Sequence, residues 1–467
     1  MLNKNDQLIG EVVGTGSEGE GVVKTGEYTV FIPFALLGEK IEYKILKVKK
    51  NIAYGKVTKI LTPSKDRVNP PCPYFFKCGG CAYQHIDYQK GLEIKQNTVK
   101  SCLSKIGGIE TEVSSVVPSP DILGYRNKLQ IPVSMVNGKT VIGFYAENSH
   151  RVIPASNCLM SAWSGKLISV FSEYVERFNI SGYDEEKGIG VLRHIVCREV
   201  DNQFMITAVV TTENPLGIDF LIEKLKENFE KFTLYLNINT KRTNVILGEK
   251  FILKYGNARY ISNALGVNYE FGVSNFLQVN KKVSEMIYAK AVELASPESD
   301  SIVIDAYSGA GLMTACLAKQ AKKAIGVEII KEAVECADTL KTINGLDNKM
   351  ENICGACEEI LPPLIKKLKS QGEKITVVLD PPRKGCDKKV LDVIKDADVD
   401  RVVYISCNPS TLARDLGLLT GALVETADGL KKTGNLVNYE VEKVIPYDMF
   451  PFTKHIENLV CLTRKAN

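Results

Sequence analysis

Two things are scarce in this chain: long apolar runs and a charge of one sign. No run among its 467 residues is long enough to span a bilayer. The opening stretch Met1-Leu2-Asn3-Lys4-Asn5-Asp6 lacks the apolar core of a secretory signal. A cytoplasmic protein without membrane association is therefore expected. With 59 Lys and Arg against 55 Asp and Glu, the formal charge is only +4. That balance permits a nucleic-acid partner without requiring one. Cysteine, in contrast, is plentiful, at 13 residues. In a reducing compartment a cluster of thiols points to metal or catalysis rather than to disulfides. The length suits two to four domains.

Residues 1–65 carry short β-like runs, Val12-Val13, Gly21-Val22-Val23, Tyr28-Thr29-Val30-Phe31-Ile32 and Lys40-Ile41-Glu42-Tyr43-Lys44-Ile45. Frequent glycines between them predict a small barrel. From Lys40 to Lys59 there are seven lysines and a single acid, Glu42, and small basic barrels often carry nucleic acid. The pattern resembles a TRAM domain, an RNA-binding barrel.

Residues 66–270 open on Cys72-Pro73-Tyr74-Phe75-Phe76-Lys77-Cys78-Gly79-Gly80-Cys81. Three thiols on one Pro- and Gly-rich loop are one short of the four that a zinc ion or an iron–sulfur cluster takes. Cys158 is the candidate fourth, and spacing leaves zinc and iron–sulfur both open. Runs such as Leu129–Val133, Thr140–Tyr145 and Phe204–Val210 predict a β-rich region, and Pro215–Phe232 an amphipathic helix. Arg126, Lys128, Arg193 and His194 stand beside strands, where cations can meet phosphates.

Residues 271–467 read as an α/β sheet. Ser301-Ile302-Val303-Ile304 runs into Asp305 and then the small-residue turn Ser308-Gly309-Ala310-Gly311. A second strand ends in Glu328, the usual kind of partner for a ribose diol. No third glycine for a pyrophosphate follows, so an adenosine without pyrophosphate fits better, which points to S-adenosylmethionine. Ile375–Leu379 ends in Asp380-Pro381-Pro382-Arg383-Lys384-Gly385, and Arg401–Ile405 ends in Ser406-Cys407-Asn408-Pro409. Alternating strands and helices imply parallel strands, whose carboxyl ends share one rim. Asp305 to Gly311, Glu328, Asp380 and Cys407 should converge there. A thiol in that place is a candidate nucleophile. His455 and Glu457, two residues apart at the mouth of the last strand, can supply a base.

Four stretches are specific: Asn275-Phe276-x-Gln278-Val279-Asn280, Asp380-Pro381-Pro382-Arg383-x-Gly385, Ser406-Cys407-Asn408-Pro409-x-Thr411 and Asp448-Met449-Phe450-Pro451-x-Thr453-x-His455-x-Glu457. They resemble the RNA uracil-C5 methyltransferase family. With the barrel and the cysteine loop, the whole chain resembles the bacterial 23S rRNA (uracil-5-)-methyltransferases. The resemblance implies a [4Fe-4S] cluster on Cys72, Cys78, Cys81 and Cys158. It implies Gln278, Tyr307, Glu328 and Asp380 around S-adenosylmethionine and uracil, Cys407 as nucleophile and Glu457 as base. The substrate would be a single-stranded or loop uridine of 23S rRNA, and a monomer is expected. Ser308, where family members often carry Cys, Leu312, where many carry a polar residue, and Ala356, where many carry an acid, depart from the pattern around the adenosine.

The expected fold class is α/β plus β. It comprises a TRAM- or OB-like barrel (1–65), a β-rich central domain with the iron–sulfur cluster (66–270), and a Rossmann-like S-adenosylmethionine-dependent methyltransferase domain (271–467). Two other readings compete. The same chemistry on a tRNA uridine is disfavoured because, as the resemblance has it, such enzymes lack the barrel and the cluster. A non-catalytic, metal-stabilised RNA-binding protein would have no use for Cys407 and Glu457 on one rim.

Overall fold

The computed structural model describes residues 2–16, 18–273 and 275–465, so the outermost residues of the first and last expected domains, Met1, Ala466 and Asn467, lie outside the description. The five strands Gln7–Thr15, Gly21–Thr25, Tyr28–Ile32, Ile52–Thr62 and Lys40–Lys49 close, in that order, into a barrel. Alternation explains it: Ile41, Tyr43 and Ile45 point inward while the lysines between and beyond them face outward. The barrel has its own core of Val12, Val23, Val30, Ile32, Ile41, Tyr43, Ile45 and Ala53. Gly21 has no alternative, since a Cβ there would meet Ala35 O at 2.7 Å and Val12 Cγ1 at 2.9 Å.

The middle of the chain forms a seven-stranded sheet, in the order Lys250–Tyr255, Lys231–Ile238, Gln203–Val210, Leu192–Val200, Lys128–Val136, Lys139–Tyr145, Val152–Pro154. The helices Ser164–Phe178 and Ile218–Asn228 pack into its core. The second helix is shorter than the predicted Pro215–Phe232. From Lys231 the chain alternates as a strand and pairs in parallel with Gln203–Val210, which outweighs the helical spacing. Arg193 is not a free phosphate contact: it is buried over the Tyr183 ring and donates to Asn239 O and Lys241 O. His194 is buried as well.

The last region holds a second seven-stranded sheet, in the order Met350–Cys354, Lys323–Glu328, Ile302–Ala306, Ile375–Leu379, Arg401–Ser406, Glu457–Arg464, Tyr439–Tyr447. The first five run parallel, as the alternation of strands and helices requires. Glu457–Arg464 is antiparallel to both of its neighbours. One face packs on a core containing Ile302, Ile304, Val377 and Val402. Leu92 and Val99 of the helix Tyr88–Cys102 are built into that same core, although they lie two hundred residues upstream. No helix among the described residues is long and apolar enough to cross a membrane.

Candidate active site

Four of the five parallel strands deliver an expected site residue to the rim at their carboxyl ends: Glu328, Tyr307, Asp380 and Cys407. Arg401–Ser406 stops one residue before Cys407, and Asn408 then caps the helix Pro409–Thr420 by accepting from Ser410 N at 3.1 Å. Pro409 at the first helical position is pre-set for the turn. Cys407 is thereby held between a strand end and a helix start, half-buried. Ser406 lies directly opposite Asn458 in the antiparallel ladder, so Glu457 opens the neighbouring strand.

The charges around Cys407 are mutual. Burial pushes its thiol up, the Glu457 and Asp380 carboxylates add to this, and the Arg383 guanidinium, which hydrogen-bonds to it, opposes both. Glu457 is buried, and burial with Asp380 nearby raises its carboxyl well above the usual range, while Arg383 again pulls down. Burial pushes Asp380 up to about 7. Asp305 also reaches about 7, through burial and the nearby Asp380 and Glu328 carboxylates, against a hydrogen bond from Thr314 Oγ1. Burial lowers the His455 imidazole, and Arg383, Lys454 and Lys95 push it the same way.

The turn after Ile302–Ala306 is tight. Tyr307 has φ +65°, and Gly309 and Gly311 are also left-handed, a conformation that costs a non-glycine residue about 1–2 kcal/mol. Glu328 accepts from Gly309 N at 3.0 Å and from Ile330 N at 2.9 Å, so its carboxylate borders the turn. Gln278 sits on a loop pinned from the middle sheet: Asn127 Nδ2 donates to Gln278 O at 2.9 Å and Asn127 N to Val279 O at 2.8 Å. Arg198 donates to Asn275 O.

Cys72, Cys78, Cys81 and Cys158 face one another across a cavity of about 490 Å³, which Arg126, Phe276, Arg383 and His455 also line. Gly80 N points at Cys78 Sγ at 3.4 Å, and a Cβ at Gly79 would meet Glu147 Cα at 2.8 Å. Burial, with the other three cysteines adding, pushes Cys81 up to about 12. Among the described residues no three His, Cys, Asp or Glu side chains are drawn together tightly enough to hold a single metal ion. Four thiols lining one cavity are the donor set that either a zinc ion or an iron–sulfur cluster takes.

Sequence reasoning reached the rim residues but gave Arg383 no role and missed Lys95. Lys95 is buried against Asp448. Its signal was there to read: Leu92, Lys95 and Val99 share one helical stripe, and a lysine in an apolar stripe requires a partner.

The family described as tRNA (uracil-5-)-methyltransferase matches residues 219–465, and the TRAM domain matches residues 11–58. An RNA methyltransferase of Clostridium tetani is 39% identical over 99% of this chain and 97% of its own length. One of Caldanaerobacter subterraneus is also 39% identical, over 97% of each. The crystal structure of the Pyrococcus abyssi tRNA (uracil-54, C5)-methyltransferase with S-adenosyl-L-homocysteine superposes with a TM-score of 0.75 at 26% identity. The match covers 97% of this chain and 99% of that one. A tRNA enzyme that matches so much of the chain spans its barrel, so the barrel does not argue against a tRNA substrate as the sequence reading held.

Proposed function

The chain belongs to the tRNA (uracil-5-)-methyltransferase family and is an S-adenosylmethionine-dependent RNA uracil-C5 methyltransferase; from that premise we propose that it methylates a uridine of 23S rRNA through a covalent Cys407 adduct. One observation carries the mechanism. Cys407 directly follows the end of Arg401–Ser406 and Glu457 begins the antiparallel strand beside it, and the charges of Arg383 and Asp380 act on both.

The bound cofactor supplies an electrophilic methyl on a sulfonium; this chain's residues do the rest. Cys407, half-exposed, would lose its proton to solvent, a loss that Arg383 favours, and the thiolate would form a bond to uracil C6. The electron pair of the C5–C6 double bond passes to the ring carbonyl and then from C5 to the methyl, whose bond to the sulfonium sulfur breaks, the sulfur keeping that pair and leaving as the neutral thioether of S-adenosylhomocysteine. C5 now carries both methyl and hydrogen. Glu457 takes that hydrogen as a proton, the double bond reforms, and the Cys407–C6 bond breaks. A carboxylate whose proton affinity is raised by burial is a stronger base for that step. Asp380 and Gln278 would hold the uracil edge, and Tyr307 and Glu328 the adenosine. A looped uridine costs least to extract from its stack.

Cys72, Cys78, Cys81 and Cys158 would hold a [4Fe-4S] cluster that cross-links the cysteine loop to the middle sheet. Methyl transfer moves no electrons, so that role is structural. Residues 1–65 would grip the RNA with their lysines, 66–270 would carry the cluster, and 271–467 the reaction. The second reading, a tRNA uridine, is favoured by the extent of the Pyrococcus abyssi match.

The deciding experiment uses Glu457→Gln with S-adenosylmethionine and, in parallel, 23S rRNA and tRNA lacking this methylation. A denaturing gel should show a stable RNA–protein adduct with one RNA only, and nuclease digestion with mass mapping should place it at Cys407 and one uridine. Ordinary turnover without an adduct would remove Glu457 from its role.

A further inference from the structure

Segment 448–456, which delivers Glu457, contains no regular secondary structure, yet its carbonyls are captured one after another from distant parts of the chain. Asn280 Nδ2 donates to Met449 O at 3.3 Å, Lys95 Nζ to Phe450 O at 3.1 Å, and Tyr125 OH to Pro451 O at 3.2 Å. Ala82 N and Tyr83 N, the two amides that follow Cys81, both donate to Phe452 O, at 2.8 and 2.9 Å. Phe452 is held at φ +60°, where a bulky residue does not rest unaided. The head of the segment is fixed by charge: Lys95 Nζ lies 2.6 Å from Asp448 Oδ1, with both side chains at most 2% exposed, and Tyr88 OH donates to Asp448 Oδ2 at 2.8 Å. A buried ion pair is a poor source of stability, since well-packed apolar residues do as well. What it adds is one fixed geometry.

Resting on the proposed function above, we propose that Lys95 is a positioning residue for the second half of the reaction: with Tyr88 it locks segment 448–456 so that Glu457 meets the proton on C5. Cys407 and the adenosine turn belong to other strands, so methyl transfer does not depend on this lock.

The test separates the half-reactions in single turnovers of the full-length protein, following methyl incorporation into RNA and the lifetime of the denaturant-stable adduct. Lys95→Met should lengthen the adduct lifetime by about tenfold or more, since small misplacements of a catalytic group cost up to about a hundredfold. Methyl incorporation and S-adenosylhomocysteine affinity should stay within about twofold. Tyr88→Phe removes the hydrogen bonds to Asp448 Oδ2 and from Ser119 N without stranding a charge and should lengthen it by about threefold, about 0.7 kcal/mol; it carries the test if Lys95→Met does not fold. An unchanged adduct lifetime, or equal slowing of both half-reactions, overturns the proposal. Glu457→Gln runs alongside: if it traps no adduct, the proposed function falls; if it does and Tyr88→Phe decays like the parent, only this inference falls.

Discussion

At the residue scale the rim is a store of protons. Asp305 and Asp380 sit at about 7 in the folded chain against an ordinary 3.8. Between those values the folded state holds protons that the unfolded state has released, so their contribution to stability is full below the ordinary value and is lost as pH rises through 7. Thermal melts of the ligand-free protein should therefore fall from pH 5 to pH 8, and Asp380→Asn should make that slope shallower. The same crowding explains why Cys407 is not an acidic thiol at rest: of the groups around it only Arg383 favours the thiolate. Cys407 and Glu457 were readable because each ends or begins a strand within a dense local motif. Lys95 was readable only as an oddity, because its partner lies 353 residues away, and nothing local names it.

At the element scale, legibility followed burial. The strands Ile302–Ala306, Ile375–Leu379 and Arg401–Ser406 are covered on both faces and read as apolar runs. Met350–Cys354, at the sheet edge, is mostly exposed or half-buried and carries no such signal. The barrel strand Ile52–Thr62 was lost in the same way, because only Ala53 and Gly55 of its eleven residues are buried. The barrel depends instead on close approach. Gly21→Val should clash with Ala35 and Val12 and cost about 1–3 kcal/mol. Because the barrel core is separate from the sheet core, this change should weaken RNA binding in a filter assay while leaving S-adenosylhomocysteine affinity intact.

At the scale of the whole molecule, a formal charge of +4 understates what RNA would meet. Lys40, Lys47, Lys49, Lys50, Lys56 and Lys59 are all exposed on the barrel. If the barrel grips a single strand by its phosphates, changing Lys47, Lys49 and Lys50 to Gln should lower the slope of log affinity against log salt by about 2, since each contact contributes about 0.7. Salt titration of RNA binding measures this directly. The helix Tyr88–Cys102 has a wider consequence. Its Leu92 and Val99 fill the floor of a sheet whose strands begin at Ile302, and its Lys95 holds the segment before the final strand. A fragment starting at residue 271 would own every strand of that sheet and still lack its floor. The barrel, with a core of its own, is a part that evolution can swap between enzymes. The sheet is not, because gene shuffling that exchanged it alone would leave behind a helix whose Leu92 and Val99 are built into its core.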